Sequence, residues 1–137
     1  MSYQGDWKVG ARSGQAIQVN KTRNGNIEYT GDFFHGHRQG MGELITPDQY
    51  RYAGEFKSNL RHGFGKVEGP SGIYVGAWKL GKRHGIGFAK IGDDFMYLGE
   101  WTNGGIPRDS VNLLDEERQQ DDYNSVRTSS LSASIYK

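Results

Sequence analysis

The sequence predicts an all-β fold: an elongated single-layer array of stacked antiparallel β-hairpins, followed by a short C-terminal helix and a disordered tail. Three observations carry this expectation. A Tyr-x-Gly-x-aromatic segment recurs at Tyr3-Gly5-Trp7, Tyr29-Gly31-Phe33, Tyr52-Gly54-Phe56, Tyr74-Gly76-Trp78 and Tyr97-Gly99-Trp101, with 26, 23, 22 and 23 residues between the tyrosines. Glycine is abundant, with 21 in 137 residues beside 8 Tyr, 6 Phe and 3 Trp. Hydrophobic residues make up only 34% and mean hydropathy is −0.78, so the core must be thin and built largely of rings.

Each unit reads in order as strand, turn, strand, turn. Alternate residues of a strand share a face, so Tyr74, Gly76 and Trp78 project together and leave a notch between two large rings. Seven residues after the tyrosine stands Gly10, Gly36, Asn59, Gly81 or Gly104, residue types that readily take positive φ, and this position predicts the tight hairpin turn. The second strand carries a glycine eleven residues after the tyrosine (Gly14, Gly40, Gly63, Gly85) and another two further on (Gly42, Gly65, Gly87, with Ala16 in the first unit). Both are expected to be notches over which a neighbouring ring lies. Asn24-Gly25-Asn26, Pro47-Asp48, Gly69-Pro70-Ser71-Gly72 and Gly92-Asp93-Asp94 suit the turns between units. At about 4.8 Å per strand, four and a half units make a curved ribbon on the order of 45 Å long.

The segment from Tyr74 to Gly87, YVGAWKLGKRHGIG, resembles the MORN (membrane occupation and recognition nexus) repeat. The unit at 52–65 is close to it, and the unit at 29–42 fits with Gln39 in place of the histidine. The unit at 3–16 is degenerate, with Ser13 and Ala16, and the unit at 97 is a half-repeat. The resemblance implies a scaffold of the kind found at membrane–cytoskeleton junctions, in cilia and flagella, or as an accessory region of a larger enzyme. It also implies two binding modes, a phospholipid surface or a partner peptide held in the groove of the sheet.

Residues 1–105 therefore form the array, 106–123 a short helix that caps the last strand or fills the groove of the sheet, with a docking helix for a partner as the alternative, and 124–137 a serine-rich disordered tail. Asp109-Ser110 suits a helix N-cap, with the helix running from Val111 to about Tyr123. Residues 1–105 hold 13 Lys+Arg and 10 Asp+Glu, and residues 106–137 hold 4 and 6. The first residues carry no apolar stretch of signal-peptide length, and the absence of cysteine fits a reducing compartment, so a cytoplasmic location is expected, at the cytoskeleton, a cilium or the inner face of a membrane.

Chemistry is sparse. With no cysteine there is neither thiol catalysis nor a thiolate zinc site, and no nucleophile elbow or phosphate-binding loop is present. No enzyme activity and no cofactor are expected. His35-Gly36-His37 lacks a third ligand and is a poor metal site, while His62 and His84 belong to the repeat and suit structural hydrogen bonding. Nucleic acid is not expected as a partner, because the rings fall on the core face and the net charge is only +1. Two sets of contact residues stand out. The groove aromatics Tyr29, Phe33, Tyr52, Phe56, Tyr74, Trp78, Tyr97 and Trp101 are candidates for a protein partner. The recurring Arg12, Arg38, Arg61 and Arg83, with Lys57, Lys79 and Lys82, are candidates for acidic phospholipid or an acidic partner, unless Asp6, Asp32, Glu55 and Glu100 pair with the arginines. The expected function is a non-catalytic scaffold or adaptor for a protein partner, with a homodimer through the array ends as one arrangement. A peripheral phospholipid-binding module is the alternative, and an accessory subunit of a larger enzyme complex the second.

Overall fold

The computed structural model describes residues 1–108. Nine strands follow one another in a single antiparallel sheet whose spatial order is the chain order. They are β1 (Ser2–Lys8), β2 (Ala11–Thr22), β3 (Gly25–Phe34), β4 (His37–Ile45), β5 (Arg51–Lys57), β6 (Leu60–Gly69), β7 (Gly72–Lys79), β8 (Lys82–Ile91) and β9 (Phe95–Trp101). The odd-numbered strands carry the Tyr-x-Gly-x-aromatic segments, and the even-numbered ones the glycine pairs. The expected helix over 111–123 and the serine-rich tail, in which Arg127-Thr128-Ser129-Ser130 resembles a site for a basic-directed kinase, lie outside the described residues.

The tight turns fall where the Gly/Asn column predicts them. Both central residues have positive φ in every one: Val9 and Gly10, His35 and Gly36, Ser58 and Asn59, Leu80 and Gly81, Asn103 and Gly104. This is the type I′ arrangement, whose twist matches that of the flanking strands.

The two glycines of each second strand do different work, which corrects the expectation that both are notches. In the β5–β6 hairpin Gly54 pairs with Gly65 and Phe56 with Arg61, so Glu55 alone faces His62, Gly63 and Phe64. The same bulge lies between Gly31 and Phe33 and between Gly76 and Trp78. Gly63 takes φ 60° inside it, a backbone conformation that side chains disfavour. Gly65 is the true notch: a Cβ there would sit 2.5 Å from Cε2 and Cζ of Tyr52.

The bulge leaves one carbonyl off the ladder, and the tyrosine recovers it. The Tyr52 hydroxyl donates to the Glu55 carbonyl at 2.8 Å, as Tyr29 does to Asp32 at 2.9 Å and Tyr74 to Ala77 at 2.8 Å. On the other side of the bulge, the Asp32 carboxylate accepts the Met41 N–H at 2.9 Å, and the Glu55 carboxylate accepts that of Phe64. Both backbone groups freed by the bulge thus find a side-chain partner.

Two glycine substitutions separate these roles. Gly65→Ala pushes a methyl into the Tyr52 ring and is expected to cost about 1–3 kcal/mol, the range for overpacking. Gly36→Ala, at φ 83° with open space around it, costs only the backbone penalty of about 1–2 kcal/mol. Gly36→Asn is close to neutral, since Asn59 holds the same place at φ 69°. Urea midpoints at constant m-value check all three.

Candidate functional site

The rings of the odd strands form one continuous edge-to-face ladder. Trp7, Tyr3, Phe33, Tyr29, Phe56, Tyr52, Trp78, Tyr74, Trp101 and Tyr97 follow one another, each ring against the next. Centroids in the middle of the ladder lie 5.1–5.3 Å apart, for example 5.1 Å for Tyr29–Phe56 and 5.3 Å for Tyr52–Trp78. The Trp78 indole N–H donates to the Gly65 carbonyl at 3.1 Å, and Trp101 does the same to Gly87. Each notch glycine is thus covered by its own unit's tyrosine and by the next unit's ring.

The arginine column lies inside this ladder. The Arg61 guanidinium sits 5.9 Å from the Tyr52 centroid and 4.6 Å from that of Trp78. Arg83 sits likewise between Tyr74 and Trp101, Arg38 between Tyr29 and Phe56, and Arg12 between Tyr3 and Phe33. Each guanidinium also reaches the turn of the next unit: Arg12 donates to the Gly36 carbonyl at 2.7 Å, Arg38 to Asn59 at 3.0 Å, Arg61 to Gly81 at 3.0 Å and Arg83 to Gly104 at 2.8 Å. The backbone completes the staple, because the N–H groups of those same turn residues donate to the carbonyls of the same arginines. Gln39 accepts the Ser58 N–H, and His84, at the equivalent position, accepts the Asn103 N–H. Position ten of the unit is therefore a turn-to-turn acceptor, in line with the structural role expected for the histidines.

The structure places both sets of candidate contact residues in or beside the core, apart from the lysines. Tyr29, Phe33, Tyr52, Phe56, Tyr74, Trp78 and Trp101 are buried in the core, and only Tyr97, in the half-repeat, is partly open. They hold the units together and leave little ring surface for a partner. Arg12, Arg38 and Arg61 are partly buried and Arg83 fully so, each between two rings and bonded to the turn of the next unit. The acids three residues after the tyrosines do not neutralise this row: Asp32 and Glu55 project from the opposite face and serve the bulges. Lys57, Lys79 and Lys82 remain exposed. Among the described residues no His/Cys/Asp/Glu group is placed to hold a metal ion.

The face turned away from the rings carries what the repeat leaves over. The residue between the two glycines of each sound unit is apolar and points outward: Met41, Phe64 (59% exposed) and Ile86. The signal was present in the sequence, since the middle residue of Gly-x-Gly must lie opposite the tyrosine face. Two hairpin tips add to it. Val9 and Leu80 (67% exposed) hold positive φ, where an exposed aliphatic residue gains nothing for folding. A shallow depression crosses the bulges between Gly14, Asp32, Phe34, Gly40, Glu55 and Lys57. Ile106 stands nine residues after Tyr97 in the arginine position, is buried against the core, and is followed by Pro107, which has no N–H to donate to a ladder.

Comparison with known proteins agrees with this architecture. The sequence profile of the MORN repeat matches residues 3–19, 29–49, 52–73 and 74–90. Mouse Alsin is 34% identical over 83 residues, 56% of this chain, and rat Alsin matches to the same extent. The chain spans only 5% of the length of either protein.

Two predictions follow from the ladder and its staples. Arg61→Ala removes a ring-stacked charge and its bond to the next turn, with an expected cost of about 2–4 kcal/mol in urea unfolding. Arg61→Lys restores only part of this, because an ammonium cannot lie flat between two rings and donate in the same plane. The second concerns alkali. Burial pushes the Tyr29 hydroxyl from its ordinary pKa of 10.0 up to about 12, with Asp32 adding to the rise and Arg38 opposing it. Burial raises Tyr52 in the same direction. Between pH 10 and about 12 the unfolded chain sheds the Tyr29 proton while the folded one keeps it. Stability from this group is therefore whole below pH 10 and falls as pH rises towards 12. Melting temperatures followed by circular dichroism should show that fall, and Tyr29→Phe with Tyr52→Phe should flatten it.

Proposed function

The chain belongs to the MORN-repeat family, and on that premise we propose that it is a non-catalytic scaffold that binds a protein partner through the outer face of its sheet. MORN arrays typically serve as scaffolds for protein or membrane binding. The observation that carries the reading is the recurring outward apolar residue, Met41, Phe64 and Ile86, one per sound unit. Two strands separate successive members, so they stand about 10 Å apart. An exposed apolar row on a rigid frame suits an extended or helical partner that presents its own apolar residues at matching intervals. The setting proposed is a cytoskeletal, ciliary or membrane-junction assembly in the cytoplasm. The small share of Alsin that the chain spans fits a further role as an accessory module of a larger assembly.

One observation favours a phospholipid surface as the second reading. The tips Lys8-Val9-Gly10 and Lys79-Leu80-Gly81-Lys82 set an exposed aliphatic side chain between or beside lysines, the pattern that enters a headgroup layer. The lysines, not the arginine row, carry the charge in this version.

Proximity labelling in cells separates the two. Met41→Ser, Phe64→Ser and Ile86→Ser together leave the ring face untouched and should remove the labelled partner while the circular dichroism spectrum stays unchanged. An unchanged partner set sinks the outer-face reading. In a parallel arm, sedimentation with phosphatidylserine vesicles that is abolished by Lys57→Glu, Lys79→Glu, Lys82→Glu and Leu80→Asn supports the phospholipid reading, and no sedimentation by the wild type removes it.

A further inference from the structure

The outer face is not uniform along the array. Cross-strand register defines two rows on it. One runs Gln4, Ile17, Thr30, Glu43, Ala53, Lys66, Val75, Phe88, Leu98 from β1 to β9. The other ends Arg51, Glu68, Ile73, Lys90, Met96. The first is mixed over β1–β5 and wholly apolar over β7–β9, as Val75, Phe88 and Leu98; in the second, Lys90 stands between Ile73 and Met96. Directly opposed side chains lie close enough to merge, so Val75, Phe88 and Leu98 make one surface, extended by Ile73 and Met96. Leu98 is 72% and Met96 67% exposed. Lys66, Lys79 and Lys90 rim this end, with Glu68 beside Lys66 and Glu100 beyond Ile86.

We propose that this apolar, lysine-rimmed end of the outer face is the docking site of the chain's own segment 109–123. The first argument is chemical complementarity. That segment, DSVNLLDEERQQDDY, has Val111, Leu113 and Leu114 near its start and six acidic residues against one arginine. Its apolar residues match the Val75–Phe88–Leu98 surface, and its acids match the lysine rim. The second is position. The segment begins one residue after Arg108, and the patch starts on β9, the last strand before it. Four strands span roughly 15 Å, and fifteen residues reach about 22 Å even as a helix, so the segment can cross the patch without strain. The third is elimination. On the ring face Trp101 and Ile106 are buried and Ile91, Phe95 and Tyr97 are only partly open, whereas Met96 and Leu98 on the outer face stand 67% and 72% exposed. A cap on the last strand or a filler of the groove was the expectation from sequence; the surface left open directs the segment to the outer face instead.

The consequence is regulatory. The segment competes in cis for the C-terminal part of the face proposed above for a partner, and the inference rests on that reading of the face. A partner must displace it or bind nearer β4–β6, and an acidic, leucine-bearing partner would be favoured because it mimics the cis occupant.

Zero-length carbodiimide cross-linking of the full chain at low concentration, followed by peptide mapping, tests the inference. Amide links from Asp115, Glu116 or Glu117 to Lys66 or Lys90 are expected within the monomer. Leu113→Asp with Leu114→Asp should reduce their yield roughly tenfold, as should Leu98→Asp, whose exposed site leaves the fold intact. Links confined to a dimer fraction would assign the face to a second copy and overturn the proposal. Links only to the turn lysines Lys8 and Lys57, no links at all, or yields unchanged by either variant would overturn it as well. Lost links with partner labelling intact refute the cis occupant alone, whereas intact links with partner labelling insensitive to the Met41, Phe64 and Ile86 changes refute only the partner site.

Discussion

A tyrosine ring lying flat on a glycine is the contact on which the rest of this molecule depends. Tyr52 can cover Gly65 only because no Cβ intervenes, and the same holds for Tyr29 on Gly42 and Tyr74 on Gly87. That approach lets a sheet one layer thick bury rings as completely as a two-layer domain does. A second sheet is unnecessary because each ring is enclosed by neighbouring rings above and below, by an arginine and by the strand beneath it. The bulge is part of the same device. It frees a carbonyl within reach of the tyrosine hydroxyl, so the ring is anchored at its polar end as well as packed on its apolar face.

Arginine supplies the connection between units. A guanidinium is the one side chain able to lie flat between two rings and still donate in plane to a backbone carbonyl. Each of the four arginines does both, and each bridges from its own unit to the next turn. Repeats coupled in this way behave as nearest-neighbour stacks, so the end units are the weak points. Beyond β9 Ile106 takes the arginine position and is buried with the last rings, an aliphatic side chain where the earlier units place a guanidinium. On β1, the first strand of the sheet, Trp7 stands 63% exposed. Folding thus consumes one face and leaves the other, with the hairpin tips, exposed.

Much of this was readable before any coordinates. The tyrosine spacing, the Gly/Asn column at the turns and the glycine pairs specify a hairpin array, because only a strand–turn–strand unit brings those residue types into phase. The contact residues were harder to read. Recurrence alone does not say whether a column faces solvent or core, since a feature that repeats for folding and one that repeats for binding look alike in the chain. The arginines looked like a surface row because isolated arginines are usually solvated, and here two rings offer a better environment than water. Met41, Phe64 and Ile86 drew no attention because they differ in type and lie within a motif dominated by glycine.

By itself the sequence determined the architecture: the repeating unit, the place of each tight turn and the strand alternation. These depend on local conformational preference and on period, which the chain carries residue by residue. Tertiary structure alone decided the role of each column. Whether Gly63 or Gly65 receives the ring depends on a register shift of the bulge. Whether Arg61 is surface or core depends on a ring from the following unit. Whether the outer face is polar or apolar at a given point depends on which strands stand side by side. Each is a cross-strand relation, settled when the units stack and not before.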